Sequence, residues 1–519
     1  MNRSCDIAVV GSGFAGSLLA MIARQLGRSV VLIERGSHPR VVIGESSTPL
    51  SNLLLEELAE RYHLDAVRPL AKWGSWQRAH PEVACGLKRG FTFYHHRMGS
   101  SDGADPERRD QLLVAASPRD AIADTHWYRA DLDHLLVREA QRLGVEYLDR
   151  VTLREFRNTG SEVVLRGTRG GEDLTLHAGF VVDATGPRGF LHEALQLGES
   201  ALPGYPTTQA LYSHFSSVGR FAESRVGGAE GAAPYPADDA AVHHVFDGGW
   251  IWVLRFNNGI TSAGVAATDR VAAELGLSEG ESAWRRVLQQ LPALQKSFAG
   301  APAEQPFRHM ARLSFRSAAI VGSRWALLPS AAGFVDPLLS TGFPLTLLGV
   351  SRLAEIIAQD WNTAAFDRRL KAYAKLTDRE LLATAWLIGA LYATMDNFPV
   401  FVAISLLYFA AASYSEAARR LGRVHLASSF LLCDHPVFGP RSNRLFERAL
   451  HPLTESDSAG LVRDILRAIE PFNVAGLGRP ERGNWYPVEA SDLLENAHKL
   501  EATREEVLAM LARCGFSAP

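Results

Sequence analysis

Cysteine is scarce in this 519-residue chain. The four present, Cys5, Cys85, Cys433 and Cys514, never fall in a CxxC pair. That excludes a disulfide framework and a cysteine-rich zinc site, and leaves each as a small buried hydrophobe. Net charge is also small, −3 from 54 basic and 57 acidic residues, so there is no electrostatic footprint for nucleic acid or an anionic membrane. The 17 His are scattered and match no HExxH-like spacing, so no metal is expected. Long apolar runs are missing too. The most apolar stretch, Phe398–Ser413, contains Pro399 and is shorter than the roughly 20 residues of a membrane span. A buried helix is expected there, with no stable membrane insertion. Met1 leads into a strand without a basic, cleavable leader, and a reducing cytoplasm is the expected home. No repeat or low-complexity tract appears. What is present, 47% apolar and 21% charged residues, suits an ordinary globular enzyme with room for two or three modules.

Periodicity organises the chain. Cys5–Val10 reads as a buried strand, Gly11–Gly16 as a glycine loop, and Ser17–Leu26 as a helix closed by Gly27. Ser29–Ile33 is a second strand that ends in Glu34. Leu53–Tyr62 and Asp131–Leu143 read as helices, and Glu146–Leu148 as a short strand. Strands alternate over 151–186. Residues 99–118 and 220–240 read as loops. Val242–Phe256 and Ser262–Thr268 read as strands of a second sheet, Ala326–Leu328 as a further strand, and Gly342–Gln359 as a helix. Beyond about 360 the pattern is helical.

Three segments point to a dinucleotide. Gly11-Ser12-Gly13-Phe14-Ala15-Gly16 lies directly between strand and helix, with an acid, Glu34, ending the next strand. Gly11 permits the tight turn, Gly13 lets backbone approach a pyrophosphate, and Gly16 lets helix and strand pack closely. The helix N-terminus then offers N–H groups to phosphate, and Glu34 accepts from a ribose diol. The strand Phe180–Asp183 runs into Ala184-Thr185-Gly186, and Trp325-Ala-Leu-Leu-Pro-Ser330 leads through a loop to Asp336. The last two resemble the segments that return to the cofactor in FAD-dependent hydroxylases and their relatives. FAD is therefore expected rather than NAD.

Four further stretches bear on the chemistry: Gly44-Glu-Ser-Ser-Thr-Pro49, Cys85-Gly-Leu-Lys-Arg-Gly-Phe-Thr-Phe93, Trp250-Ile-Trp252, and Phe334-Val-Asp-Pro-Leu-Leu-Ser-Thr-Gly342. In this order they resemble the flavin-dependent halogenases over roughly residues 5–360, and most of all the branch acting on free phenols. The resemblance implies an α/β fold. A Rossmann-like FAD-binding domain would be assembled from 1–84, 119–200 and 318–360. A β-rich substrate domain would come from 85–118 and 201–317, and 361–519 would be a C-terminal helical extension. It implies FADH2 from a separate flavin reductase, chloride or bromide as halide, and hypohalous acid as the oxidant. The cofactor contacts it implies are Gly11, Gly13, Ala15, Gly16, Glu34, Arg35, Ser47, Arg129, Gly186, Ser330 and Asp336. Thr341 and Gly342 would hold halide through backbone N–H groups. Lys88 would carry or hold the halogen, with Glu45 near it and near the flavin. Phe93, Trp250 and Trp252 would line the substrate pocket. A lysine suits this because desolvation frees its lone pair. Asp336 could equally cap its own loop, and the Trp pair could be packing.

Two departures from the family pattern matter. Its Trp-x-Trp-x-Ile-Pro stretch here ends in Leu254-Arg255, which puts halogenation in competition with monooxygenation. Leu339 stands where tryptophan halogenases carry a glutamate, so a phenol is expected over an indole. No base for the phenol is evident; His95 and His96 qualify only by nearness in sequence. The rival activities are a flavin monooxygenase and a FAD-dependent saturase served by the apolar 398–413 stretch. The substrate is a small aromatic, free or carrier-bound, and the chain a monomer or homodimer.

Overall fold

A computed structural model describes residues 1–100, 105, 107–224 and 233–516. Parts of both expected loops, 99–118 and 220–240, lie outside the described residues. The first of two eight-stranded sheets is built on four parallel neighbours in the order Trp325–Leu327, Glu172–Asp183, Asn2–Val10 and Val30–Ile33, with Glu146–Leu148 at its edge. Every residue of Val30–Ile33 is buried, as a strand covered by helices on both faces requires. The helices Phe14–Gln25 and Arg129–Arg142 pack together beside it. A meander, Val151–Asn158 and Val163–Arg169, extends the outer half of Glu172–Asp183.

The second sheet runs Arg308–Met310, Thr208–Ser216, Ile260–Thr268, Gly249–Arg255, Ala241–Phe246, Gly90–His95, Gln111–Ala115 and Trp485–Tyr486. Three expectations change here. Val242–Phe256 is a hairpin, not one strand, because Asp247-Gly248 makes a two-residue turn with Gly248 at φ +72°. Residues 99–118 include the strand Gln111–Ala115, whose Leu112 and Leu113 are buried; its polar neighbours hide it in the sequence. The C-terminal region is mostly helical, yet its Trp485–Tyr486 strand pairs with Leu113–Val114 and completes the sheet edge.

A small ladder joins the layers. Cys85–Lys88 pairs antiparallel with Asp124–Trp127 in a register that sets Lys88 opposite Asp124. On the other side, Ser46 bridges to His126.

Two helices, Leu338–Asp360 and Phe398–Arg420, are long and apolar enough to cross a membrane. The second runs seven residues past Ser413, so length does not exclude a span as the sequence suggested. Its packing does the explaining: 83% of its most apolar window is buried inside the protein. Each fully buried Leu or Phe contributes roughly 1.5–3 kcal/mol relative to exposure. Phe401, Leu407 and Tyr408 therefore have reason enough to be apolar as core side chains.

Candidate active site

The glycine turn forms one wall. Gly11 sits at φ +101°, and a Cβ there would lie 2.7 Å from the backbone of Ala184. A Cβ on Gly16 would collide with the Gly11 carbonyl and meet Ala184. The turn therefore packs on the Asp183–Gly186 return, whose Gly186 is at φ +90°. Ala15 is buried in the first helical turn. Glu34 accepts from the N–H and hydroxyl of Ser12 at 3.2 and 2.9 Å, and from Gly36 N–H at 2.9 Å. Burial pushes its carboxyl upward, but the Gly36 N–H, Arg40 and Ser12 together hold it below the ordinary value. Arg129 opens its helix. Its guanidinium is bidentate to buried Asp133, 2.8 Å on each bond, and also donates to the Gly44 carbonyl at 3.0 Å. A Cβ on Gly13 would sit 3.3 Å from Arg129 and 3.9 Å from Arg40. Two guanidiniums thus flank the turn. Arg35, expected as a cofactor contact, is exposed, and the guanidinium paired with Glu34 is that of Arg40, five residues on. Ser330 is half-buried on the short helix Pro329–Ala332.

Glycines placed for close approach, an acid at the end of the second strand and two nearby guanidiniums are what an FAD pyrophosphate and ribose need.

The loop after Phe334 is the second wall. Asp336 caps it, accepting from Leu338 N–H at 2.9 Å. Its other oxygen takes the hydroxyls of Tyr205 and Tyr392 at 2.8 and 3.0 Å. Burial pushes this carboxyl up to about 6 against those donors. Asp336 thus displays the capping role. Leu339 and Ser340 both occupy the left-handed region, φ +62° and +56°, which costs each a fraction of the ~1–3 kcal/mol typical of strained positions. The strain turns the chain so that Thr341 and Gly342 begin the 19-residue helix Gly342–Asp360. The first N–H groups of that helix have no intrahelical acceptor. Phe343 stacks on Phe14 at 4.9 Å, which locks this loop to the glycine turn.

Lys88 lies against Phe91, which lines a neighbouring cavity that Lys88 itself does not line. Its side chain is fully buried. Its ammonium donates to the Ser46 hydroxyl at 2.8 Å and the Ser47 carbonyl at 2.5 Å, and sits 3.8 Å from the Phe91 ring centroid. Burial drives its pKa down, partly opposed by Asp124. Ser47 spends its own hydroxyl on the Thr125 carbonyl at 2.7 Å, so that side chain positions the turn and does not face outward. Glu45, in the same turn, pairs with His214 at 2.8 Å and not with Lys88. Thr48 caps the following helix Pro49–Arg61 with Ser51, so the helix starts four residues before the expected Leu53.

The cavity beyond is about 180 Å³. Phe91, Val114, Asn52, Asp124, Pro344 and Tyr408 line it. Tyr408 donates to the Leu339 carbonyl at 3.0 Å, tying the cavity to the strained loop. Phe93, Trp250 and Trp252, expected as pocket walls, are not among its lining residues. Phe93 stacks on His243 at 4.4 Å behind Phe91, and the Trp250 indole donates to Tyr392 at 3.1 Å. Trp252 donates to Ser262 at 3.3 Å. His95 pairs with Asp110 and His96 with His244, away from the cavity. Arg255 closes its strand by donating to the carbonyls of Val218 and Gly219, which accounts for a charge where the family pattern has proline. Asp124, Asn52 and His214 were not evident from sequence. No motif marks them: strand register sets Asp124 opposite Lys88, a helix brings Asn52 to Asp124, and His214 meets Glu45.

A sequence model described as tryptophan halogenase matches residues 121–398, more than half of the chain. The chain belongs to that family. A FAD-binding-domain model matches residues 4–210 as well. Among curated relatives, monodechloroaminopyrrolnitrin halogenase PrnC of Pseudomonas fluorescens is 29% identical over 73% of this chain and 65% of its own length. The tetracycline 7-halogenase of Kitasatospora aureofaciens is 28% identical over 79% and 74%. The chain thus spans just under two thirds of the first relative. The fold matches the crystal structure of halogenase PltM in complex with phloroglucinol and FAD, TM-score 0.79 at 20% identity, over 92% of this chain and 99% of that one. Such coverage requires the region after residue 360, where the sequence likeness fades.

Proposed function

We propose that this member of the family is a flavin-dependent halogenase that makes hypohalous acid from O2 and chloride or bromide and transfers the halogen through Lys88 to a small phenolic ring. The observation that carries the reading is the place of Lys88, buried between the turn at Ser46–Ser47 and the Phe91 wall of the cavity. Gly11, Gly13, Gly16, Glu34, Arg40 and Arg129 would hold FAD. Reduced FAD, when bound, supplies the electrons with which O2 oxidises halide to hypohalous acid. Thr341 and Gly342 would hold the halide at the helix start. A neutral Lys88 amine donates a hydrogen bond to hypohalous acid or takes the halogen on nitrogen, and burial favours that neutral form.

The cavity bears on substrate size. Roughly 150 Å³ is enough for a benzene ring. About 180 Å³ therefore suits one ring with small substituents. Leu339 offers no carboxylate to an indole-derived cation, and a phenol, which donates charge from its own oxygen, needs none. The partners this reading requires are a flavin reductase and the aromatic substrate, free or on a carrier. Two of the relatives act, by name, on a pyrrole-2-carbonyl group held by a peptidyl-carrier protein.

The test supplies the enzyme with FAD, a reductase, NADH, O2, halide and a panel of single-ring phenols, with products read by mass. Halogenated product is expected, falling by ~10²–10⁴-fold in Lys88→Ala while FAD remains bound. Hydroxylated product without halogen would establish a monooxygenase instead, and an unchanged Lys88→Ala would remove the lysine from the mechanism.

A further inference from the structure

One corner of the cavity is polar, and its atoms are left over. Asp124 Oδ1 accepts from Asn52 Nδ2 at 2.8 Å. Asp124 Oδ2 and Asn52 Oδ1 are both buried and have no hydrogen-bond partner among the described residues. A buried acceptor without a donor costs about 1–3 kcal/mol, and this corner holds two, side by side, on the wall of an otherwise largely apolar space. Such a pair is complementary to a ligand that brings hydrogen-bond donors and an apolar body. The strand register places Asp124 directly opposite Lys88, whose ammonium lies against the Phe91 ring that lines the same cavity.

We propose that Asp124 is the general base that receives the substrate's ring hydroxyl, and that Asn52 helps to fix its orientation. The proposal rests on the halogenase reading above and adds the base that reading lacks. In the step, the hydroxyl O–H bond gives its electrons to the ring and its proton to Asp124 Oδ2. A ring carbon forms a bond to the halogen of hypohalous acid held at Lys88. The O–X bond breaks, and its electron pair leaves with oxygen as hydroxide. Hydroxide then takes the proton from the halogenated carbon as water. The ring oxygen regains its proton from Asp124, and the carboxylate is restored.

The electrostatics fit this role. Burial drives the Asp124 pKa up, opposed by Lys88 and the Asn52 amide, so the carboxylate is more basic than an ordinary aspartate. The other charged groups facing it are Glu416 and Arg420, which pair with each other at 2.8 Å, while Tyr408 presents a phenol whose own pKa burial raises beyond the working range. Lys72 and Glu56 pair farther along the cavity wall.

The experiment compares single-ring phenols with their O-methyl ethers in the reductase-coupled assay, for wild type and Asp124→Asn. Hypohalous acid is followed separately with a free amine trap. Wild type is expected to halogenate phenols and to leave the ethers nearly untouched, with a rate that climbs as pH rises and Asp124 becomes carboxylate. Asp124→Asn is expected to lose about 10²-fold or more in kcat on phenols with little change in KM. Its rate should recover only at the pH where the phenol ionises unaided, and hypohalous acid formation should be unchanged. Wild type halogenating ethers as fast as phenols overturns the proposal without any variant. So does an Asp124→Asn with the wild-type rate and pH profile, or one that loses phenol and ether equally. Hypohalous acid with no phenol halogenated overturns the substrate class. If no hypohalous acid forms at all, the halogenase reading itself fails, and Asp124 with it.

Discussion

The cofactor wall and the cavity wall treat buried charge in opposite ways. At the glycine turn every charge has its partner: Glu34 has Arg40 and three further donors, and Arg129 has Asp133 in a bidentate pair. The donors around Glu34 hold its carboxyl below the ordinary value. Beside the cavity, Asp124 and the Lys88 opposite it are both buried without such pairing, and burial pushes the lysine down and the aspartate up, each toward neutrality. One wall pairs its charges and the other leaves them apart. The Phe14–Phe343 stack and the Ser46–Ser47 turn are what join them.

The strongest way to break the comparison is to remove the cofactor wall alone. Gly16→Val puts two methyl groups where even a Cβ would strike the Gly11 carbonyl. Loss of FAD is the expected result: no flavin fluorescence should be released on denaturing the purified variant, whereas Lys88→Ala should release the wild-type amount per protein. A Gly16→Val enzyme that keeps its FAD would show that the turn does not cradle the cofactor.

The contrast also predicts stability. Arg129→Met leaves Asp133 buried and unpaired, and should cost about 3–5 kcal/mol in thermal or denaturant unfolding. Lys88→Met keeps the stem and removes an ammonium that burial disfavours, so its Tm should equal or exceed that of wild type. The pH dependence separates the two. Lys88's folded pKa lies below its unfolded one, so the unfolded chain binds more protons and the lysine destabilises the fold at pH values below about 10.4. Any advantage of Lys88→Met should therefore shrink as pH rises toward that value, while the Arg129→Met deficit persists. Equal losses in both variants would show that Lys88 is paired as firmly as Arg129.

The same contrast explains what could be read in the sequence. The cofactor wall is written locally: Gly11, Gly13, Gly16 and Glu34 fall within a few dozen residues, and each glycine is needed for a backbone reason. The pairing of Asn2–Val10, Glu172–Asp183 and Trp325–Leu327 in one Rossmann-like sheet was legible for that reason. Lys88 was legible only through the family's pattern around it. Asp124 and Asn52 carry no motif, because strand register and a helix start bring them together from 72 positions apart. The Arg40–Glu34 pair was hidden for a related reason: two arginines near one acid look alike until the chain turns. The Asp247-Gly248 hairpin was visible in principle and lost in a continuous apolar run. The Trp pair stood out through a motif, whereas the bonds of its indole N–H groups to Tyr392 and Ser262 did not.

That Trp pair supplies the mildest test. Trp250 donates to Tyr392, and Tyr392 donates to Asp336, which caps the loop leading to Thr341. The chain of bonds runs from the second sheet to the strained residues Leu339 and Ser340. Tyr392→Phe removes one link, yet Asp336 keeps Tyr205 and the Leu338 N–H. The expected loss is about 1 kcal/mol of stability, the net worth of an ordinary hydrogen bond. Its functional effect is best read as coupling, the share of consumed NADH that appears as halogenated product. If the network only supports packing, coupling should stay at the wild-type level. If it holds the loop in its left-handed turn, coupling should fall while the Lys88-dependent step keeps its pH profile. The second result is expected here, because two consecutive non-glycine residues at positive φ persist only where surrounding contacts enforce them. Asp336 and Tyr408 are the contacts in place to do so.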